Sequence, residues 1–477
     1  MAGIVGCIGK EAGSTRVEKM IENIKHRGSN GPMVKNVPSG SVGFVGANGN
    51  GINGEKPIVL IDGMLVRDNG NKEVSDEDYI REKYMRHGKD VFSKISGSYA
   101  CVIVDEDECI IARDHVGARP VVYNESEQNE LLFASEAKAF KEYASDVEEL
   151  MPGHYFSTKE GLKKFDDCPV NLPEWETPEE AVKAVRELII EAVEQMMKSG
   201  GIGGVSLSGG LDSSIILAVA REYDKNLKAF TGTLAENPGE DLKYARLLAD
   251  YLDVEHHVYE ITQEDIESII PKAVWHLESF DEDCIVGFIA NYYTSRLASE
   301  HVDSVLVGEG ADELFGGYFR ELQDISDPAE KEKIGKKLLD ISYNTALRRL
   351  DRGWMSNSME YNAPFLNPSV VALSHEIPMN LKVSSIEKWI LREAFRDMLP
   401  QEIADRPKLR FSRGVGVDDQ VDKVVPDSIG EKELKENPKS RGGLSLQSPK
   451  ELYFYRLFKE HFPEGYECLT GRWDPFK

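Results

Sequence analysis

The first third of the chain alternates short apolar runs with polar turns. Between these runs lie two stretches, at about 14–25 and 76–87, in which apolar residues recur at helical spacing. Strands mixed with a few helices predict an α+β sandwich for this part of the chain. The predicted strands include residues 3–8, 57–61, 98–104 and 120–123.

A segment rich in proline and acidic residues, at about 166–178, separates this part from the rest. Such a composition is typical of a linker, so we predict two domains, 1–170 and 175–477. A long helix is predicted from about 178 to 198, because Thr177 can cap its first turn.

Strands and helices alternate after that helix. The apolar runs 204–207 and 302–307 have the character of strands buried on both faces, which is typical of a parallel sheet. We therefore predict a doubly wound α/β domain whose last part, beyond about residue 326, is mostly helical.

The composition is that of an ordinary globular protein, with 477 residues, 41% hydrophobic and 29% charged. No apolar run is long enough to predict a membrane helix, and the N-terminus lacks the pattern of a signal peptide. The six cysteines show no Cys-x-x-Cys spacing, which argues against a zinc site and a disulfide framework. These features predict a cytoplasmic protein with no membrane partner.

The formal net charge is −26. A negative surface repels nucleic acid and anionic membranes. We therefore expect small-molecule partners and no nucleic acid. This charge also disfavours a tRNA-modifying enzyme, one of the enzyme classes that share the glycine- and serine-rich turn described next.

A turn rich in glycine and serine, residues 208–214, lies between an apolar run and a helical pattern. It reads Ser-Gly-Gly-Leu-Asp-Ser-Ser. A strand, a turn and a helix start expose backbone N–H groups beside the positive end of the helix dipole, which suits a pyrophosphate. Asp212 could hold the accompanying Mg²⁺. The alternative is a turn that merely needs glycine; a Walker A loop is excluded because no Gly-Lys-Ser/Thr is present.

A second turn, residues 307–318, follows another apolar run and reads Val-Gly-Glu-Gly-Ala-Asp-Glu-Leu-Phe-Gly-Gly-Tyr. The carboxyl ends of strands in one parallel sheet face the same crevice. Asp312 is therefore expected to join Asp212 around one Mg²⁺. The alternative is an acidic helix start, since Asp and Glu favour the first turn.

Together these motifs resemble the asparagine synthetase family, including its β-lactam-forming relatives, over nearly the whole chain. The N-terminal third is similar to a class-II glutamine amidotransferase domain, which has the N-terminal-nucleophile fold. The matching blocks are His26-Arg27-Gly28 and residues 113–120, 133–138, 364–366, 386–392 and 407–416.

The resemblance implies an ATP-pyrophosphatase domain that uses ATP and Mg²⁺. In this family a substrate carboxylate attacks the ATP α-phosphate to give an acyl-adenylate and pyrophosphate, and an amine then displaces AMP. By matching position, Lys408 neutralises charge at the α-phosphate, while Glu309 and Glu387 handle protons or form structural ion pairs. The implied metal ligands are Asp212 and Asp312, and a homodimer is expected. The implied ATP and pyrophosphate residues are Leu207, Ser208, Gly209, Gly210, Asp212, Ser213, Ser214, Asp241 and Gly308.

The chain departs from the family at the glutaminase site. The family's nucleophile is an N-terminal cysteine, but Ala2 follows Met1 here. The family's Asn-Gly oxyanion pair is Asp62-Gly63, and a carboxylate there repels an oxyanion. The family's Arg-Leu-Ser-Ile segment has no counterpart between residues 41 and 53. We therefore predict a degenerate glutaminase site around Ala2, Asp62, Gly63 and Asp76.

The chain also departs from the family around the acyl substrate. Two family arginines fall on Val286 and Asn362. Their loss weakens binding of a small dianionic substrate, so the acyl substrate need not be aspartate. The β-lactam-forming relatives tend to carry tyrosine where Glu309 is found, which keeps this chain nearer the amide-forming type.

The resulting prediction is an ATP- and Mg²⁺-dependent amide ligase that takes ammonia or a substrate amine rather than glutamine. One alternative is a glutamine-hydrolysing asparagine synthetase whose nucleophile is mutated to Ala2. Another is a non-catalytic nucleotide-binding homologue, which retention of Asp212, Asp312 and Lys408 disfavours.

Overall fold

The computed structural model describes residues 2–9, 13–46, 56–67, 74–127, 129–199, 201–236, 238–318, 325, 327–384, 386–408 and 417–472. Most of the family block 407–416 lies outside these residues, as does much of the segment 41–53 that was compared with the family's Arg-Leu-Ser-Ile.

The first part of the chain is built from short strands. They are β1 (Ala2–Ile8), β2 (Met33–Val37), β3 (Gly40–Gly46), β4 (Ile58–Val66), β5 (Ser96–Asp105), β6 (Glu108–Arg113), β7 (Val122–Glu125), β8 (Leu131–Ala134), β9 (Glu148–Glu149), β10 (His154–Ser157) and β11 (Gly161–Lys164). They form two antiparallel sheets, with orders β2-β3-β1-β8-β7-β9 and β11-β10-β6-β5-β4. One apolar cluster contains residues of both sheets, including Ile4 and Leu60, so the sheets pack as a sandwich.

Two helices cover this sandwich, α1 (Ser14–Glu22) and α2 (Asp76–His87). The first turn of α2 is stabilised because the Ser75 side chain accepts a hydrogen bond from the Asp78 backbone and three acidic residues face the positive helix end. The predicted α+β sandwich is confirmed.

Residues 165–177 form neither helix nor strand. Helix α3 (Pro178–Lys198) begins directly after them. The Thr177 side chain accepts from the Glu180 backbone, and the Glu180 side chain accepts from the Thr177 backbone, which is a complete capping box.

A parallel sheet follows. Its strands are β12 (Ile202–Ser206), β13 (Lys228–Leu234), β14 (Glu255–Ile261), β15 (Ser304–Leu306) and β16 (Glu360–Asn362), in the order β14-β13-β12-β15-β16. The helices between them are α4 (Leu211–Tyr223), α5 (Glu240–Leu252), α6 (Gln263–Leu277), α7 (Glu282–Ser299) and α8 (Ala311–Phe315). The predicted doubly wound domain is confirmed, and its strand order reverses between β12 and β15, where such sheets form a crevice.

The remainder is helical. Its helices are α9 (Pro328–Asp340), α10 (Ala346–Met355), α11 (Pro368–Glu376), α12 (Met379–Lys382), α13 (Trp389–Phe395), α14 (Gln401–Ala404), α15 (Asp418–Asp422), α16 (Glu431–Glu436) and α17 (Pro449–His461). None of the helices in the described ranges is long and apolar enough to cross a membrane.

The two parts of the chain share a core. One apolar cluster contains Val5 and Ile21 of the sandwich, Ile270 of α6, and Phe454 of α17. Full burial of one such side chain contributes roughly 1.5–3 kcal/mol to the stability of the protein. The two parts of the chain therefore stabilise each other.

Candidate functional site

The loops that follow β12 and β15 lie side by side at the crevice between these strands. They border an open cleft of about 1020 Å³. The sequence-predicted residues that line it are Ser208, Gly210, Asp212, Ser213, Asp241, Gly308, Glu309, Asp312, Glu387 and Lys408. The topological switch point therefore brings together residues that are up to 200 positions apart.

The loop after β12 is held by its own hydroxyl groups. The Oγ atoms of Ser208 and Ser213 lie 3.0 Å apart, and the Ser208 backbone donates to Ser213 Oγ over 3.1 Å. The Gly210 backbone donates to Ser208 Oγ over 3.3 Å. These contacts fix the entry into α4, whose first-turn N–H groups have no partner within the helix. The loop therefore has a fixed conformation beside a helix N-terminus, an arrangement that suits an anion.

Gly209 lets this loop pack against α5. Its φ of +75° lies in the left-handed region, and a Cβ there would be 2.3 Å from the Asp241 carbonyl oxygen. A side chain at this position would displace both the loop and Asp241.

Three sequence-predicted residues do not line the cleft. The Leu207 carbonyl accepts a 2.5 Å hydrogen bond from Thr231, and the Gly209 carbonyl accepts one of 2.8 Å from Arg406. Ser214 is fully buried, and its hydroxyl has no hydrogen-bond partner in the described part of the chain. Successive helical residues point about 100° apart, so Ser213 faces the loop while Ser214 faces the core.

Two aspartates and two lysines meet in the centre of the cleft. Lys388 Nζ lies 2.5 Å from Asp212 Oδ2 and also contacts Asp312. Lys408 contacts Asp312 from the other side. Burial alone disfavours the carboxylate, but the two ammonium groups outweigh it and hold the pKa of Asp312 below its usual value. The two ammonium groups thus compensate the charge of the two carboxylates.

Lys388 is a functional candidate that was not singled out from the sequence. It lies inside the matched block 386–392, which was its only sequence signal. The side chain is 3% exposed, and the backbone is left-handed with a φ of +54°. This conformation costs about 1–2 kcal/mol in a residue other than glycine, and such strain clusters at functional sites.

The two aspartates fit a Mg²⁺ ion. Asp212 Oδ1 is buried and has no hydrogen-bond partner among the described residues, so a ligand position is open there. No group of three potential metal-binding side chains occurs in the described ranges. Mg²⁺ is commonly held by one or two carboxylates together with substrate phosphates, so Asp212 and Asp312 suit it once a phosphate is present.

Glu387 serves two neighbours. It accepts a hydrogen bond of 2.6 Å from Arg392 and another of 2.6 Å from the Lys408 backbone N–H. The carboxylate therefore anchors the residue whose side chain reaches Asp312. Of the two roles left open for Glu387, a structural ion pair describes these contacts better than proton transfer.

Glu309 and Asp241 each pair with an arginine at the edge of the cleft. Arg349 donates to Glu309 Oε1 over 3.1 Å, and Arg406 donates to Asp241 Oδ1 over 2.5 Å. Burial raises the pKa of Asp241 despite the guanidinium beside it. Both arginines line the cleft and were not singled out from the sequence.

The region predicted to be a degenerate glutaminase site is filled by charged groups. The Ala2 backbone N–H donates to Asp62 Oδ1 over 2.9 Å, and Arg27 donates to Asp62 Oδ2 over 2.9 Å. Arg27 also donates to Glu136 and to Asp351, and all of these charged side chains are at most 1% exposed. The Asp62 carboxylate thus lies where the resemblance places an oxyanion-stabilising amide.

The other members of that site have structural contacts. A Cβ at Gly63, whose φ is +122°, would lie 2.0 Å from the Ser98 carbonyl oxygen. Asp76 pairs with Arg67 and accepts a hydrogen bond of 3.1 Å from the Leu65 backbone. The internal Cys7 is fully buried, and burial together with Glu130 raises its thiol pKa to about 12, so it is not a replacement nucleophile.

Comparison with known proteins agrees with this architecture. The family model described as "Asparagine synthase" matches residues 184–340 and 331–468, and the model "Glutamine amidotransferase domain" matches residues 64–165. A similar protein is asparagine synthetase [glutamine-hydrolyzing] 2 of Arabidopsis thaliana, 30% identical over 82% of this chain and 72% of its own length. The probable asparagine synthetase [glutamine-hydrolyzing] of Schizosaccharomyces pombe is 30% identical over 88% and 86%. Asparagine synthetase B [glutamine-hydrolyzing] of Escherichia coli is 29% identical over 83% and 76%.

Proposed function

The chain belongs to the asparagine synthase family, and on this premise we propose an ATP- and Mg²⁺-dependent ligase that forms an amide through an acyl-adenylate. The amine is ammonia or an amine of a second substrate. The observation that carries this proposal is the cluster of Asp212, Asp312, Lys388 and Lys408 beside an anion-binding loop.

Charge neutralisation is the main demand of the first step. The attack of a carboxylate on the α-phosphate brings two anions together. Lys408, positioned through Glu387, supplies a cation for the α-phosphate, and Lys388 supplies one between the two aspartates. The loop around Ser208 and the start of α4 hold the pyrophosphate that leaves. A Mg²⁺ held by Asp212 and Asp312 adds positive charge at the phosphates when bound.

The source of the amine is inferred from the N-terminal part. Alanine at position 2 has no nucleophilic atom in its side chain. The carboxylate of Asp62 accepts a hydrogen bond from the Ala2 N–H and binds Arg27. A carboxylate thus occupies the position at which the family has an oxyanion-stabilising amide. Both observations support an amine that does not come from glutamine hydrolysis at this site.

The test is pyrophosphate release with ATP and Mg²⁺ across a panel of carboxylic acids, each with ammonium or with glutamine. We expect release with ammonium and at least one acid, and no glutamate formation from glutamine. The Asp212→Ala variant is expected to lose release and to retain its fold by circular dichroism. Turnover with glutamine would overturn the proposed amine source.

The non-catalytic alternative makes a different prediction in the same experiment. A homologue that only binds nucleotide would show ATP binding by calorimetry but no pyrophosphate release with any acid. Equal release by the wild type and Asp212→Ala would contradict the proposed metal site.

A further inference from the structure

We propose that Asn291 and Trp354 form a subsite that recognises a neutral carbonyl oxygen on the acyl substrate. This inference rests on the proposed function and specifies the substrate class of the same cleft. The substrate is a carboxylic acid whose far end carries an amide or a similar uncharged carbonyl group.

Two glycines bring the subsite together where α7 faces α10. A Cβ at Gly353 would lie 2.5 Å from Cβ of Asn291, and a Cβ at Gly287 would lie 2.2 Å from Cδ of Arg349. Each glycine therefore makes room for a polar side chain of the opposite helix. Without both of them, Asn291 and Arg349 could not take these places at the inner wall of the cleft.

The subsite contains two hydrogen-bond donors that are unpaired in the described part of the chain. Asn291 is 7% exposed and Trp354 is fully buried, and both line the cleft. Asn291 Nδ2 and Trp354 Nε1 have no hydrogen-bond partner in the part of the chain that the structure describes. A buried unpaired donor costs about 1–3 kcal/mol, so an acceptor on a ligand is strongly favoured at this place.

The charge around these donors selects an uncharged acceptor. The Arg349 guanidinium is already bonded to Glu309, whose carboxylate would repel a second carboxylate on the substrate. Ala346 and Leu350 supply apolar wall beside Trp354. The neutral amide and indole N–H groups thus match a carbonyl oxygen better than an anion.

The positions of the lost family arginines agree with this assignment. Val286 is 2% exposed and Asn362 is 4% exposed, and neither lines the cleft. The Asn362 amide donates to Ser304 Oγ over 3.3 Å rather than to a ligand. No cation at these two positions is available to hold a second carboxylate.

Isotope exchange between ATP and pyrophosphate tests the subsite with matched acids. The probes are succinamate, succinate and 4-methylpentanoate, and the longer set glutaramate, glutarate and 5-methylhexanoate. Within each set the far group is an amide, a carboxylate or an apolar isostere. We expect kcat/KM of the amide acid to exceed that of the apolar acid by about a hundredfold, because the apolar group leaves both donors unpaired. We expect it to exceed that of the diacid by about tenfold, because Glu309 repels the second carboxylate.

Trp354→Phe removes the N–H and keeps an aromatic ring. We expect it to lower the preference for the amide acid over the apolar acid by about tenfold, with the loss mainly in KM for the acid. Asn291→Leu is expected to act in the same direction. Trp275→Phe, a matched change on α6 away from the cleft, is expected to keep the wild-type preference.

A preference for succinate or glutarate, or an unchanged preference in both variants, would overturn the subsite. If no acid supports exchange in the wild type, the proposed function fails on its own. The subsite is then decided by binding of succinamate and glutaramate to the protein with a non-hydrolysable ATP analogue. Binding that weakens about tenfold in Trp354→Phe supports the subsite, and the absence of binding or of weakening overturns it.

Discussion

Arg27 and Asp351, which are 324 positions apart in the chain, form a bidentate ion pair with hydrogen bonds of 2.7 and 3.0 Å. Both side chains are at most 1% exposed. Burial alone would raise the carboxyl pKa, but Arg27, together with Arg352 and Arg119, outweighs burial and holds the pKa of Asp351 below its ordinary value. The pair joins the predicted glutaminase-like site of the sandwich to the synthetase part.

Removing one partner of this pair leaves a buried charge without compensation. We expect Asp351→Ala to destabilise the protein by about 3–5 kcal/mol, measured from urea unfolding. Glu187→Ala removes one partner of an exposed i,i+4 pair with Lys183 and is expected to cause no measurable change. Equal unfolding midpoints for Asp351→Ala and the wild type would contradict the structural role of the pair.

Restoring a cysteine at position 2 is expected not to restore glutaminase activity. In Ala2→Cys, Asp62 still bonds to the N-terminal backbone and Arg27 still bridges Asp62 to Glu136. A nucleophile alone therefore lacks the oxyanion stabilisation that it needs. The measurement is glutamate release from glutamine, after mass spectrometry has verified removal of Met1. Release at the rate of the ammonium-dependent reaction would show that one substitution had inactivated a working glutaminase.

Lys388 is expected to contribute more to the chemical step than to folding. Lys388→Met removes the cation that lies between Asp212 and Asp312. We expect kcat/KM for ATP–pyrophosphate exchange to fall by about 10²–10³-fold, the usual loss when one electrostatic stabiliser is removed. Far-ultraviolet circular dichroism is expected to stay unchanged. Wild-type exchange in this variant would refute the assignment.

Glu387 is expected to behave as a positioning residue. Glu387→Gln keeps an acceptor for Lys408 and Arg392 but lacks the charge, while Glu387→Ala removes the acceptor too. We expect the glutamine variant to lose about tenfold in kcat and to keep the wild-type shape of the pH profile, and the alanine variant to lose more. Disappearance of one limb of the profile in Glu387→Gln would instead indicate proton transfer.

We expect His256 to make the stability of the protein depend on pH. Burial, aided by Arg246, lowers the pKa of His256 to about 4. Between this value and the ordinary pKa near 6.5 the unfolded state binds more protons, so stability is present above pH 6.5 and is lost as the pH falls. With allowance for its partial exposure, we expect the wild type to lose about 1–2 kcal/mol more than His256→Gln between pH 7 and pH 5. Parallel urea unfolding curves at both pH values provide the measurement.

Some of the site follows from sequence alone. Asp212 and Asp312 each come shortly after a buried strand, and strands of one parallel sheet end at one crevice, so their meeting could be predicted. Lys388 follows no strand, and its direction depends on a left-handed backbone that only the folded loop imposes. Periodicity does not reveal such a residue.

The residues of α7 and α10 that line the cleft could not be predicted from the sequence pattern either. Trp354 and Asn291 lie in helices with many apolar residues, where the usual expectation is a core position. Their role depends on how α7 and α10 approach each other at Gly287 and Gly353, which is a property of packing. The serines of the loop show a similar limit, since Ser213 and Ser214 are identical in type and differ only in the face they occupy.

The core shared by the two parts of the chain has a consequence for synthesis on the ribosome. Tyr466 donates a hydrogen bond of 3.0 Å to the Ala144 carbonyl, and Lys141 donates one of 3.1 Å to the His461 carbonyl. The apolar cluster that begins with Val5 also includes Leu469. The sandwich emerges first, but the part of this face that residues 461–469 cover stays open until almost the whole chain has been translated. That part of its surface is exposed for most of translation, which is the period when a chaperone has the greatest opportunity to bind it.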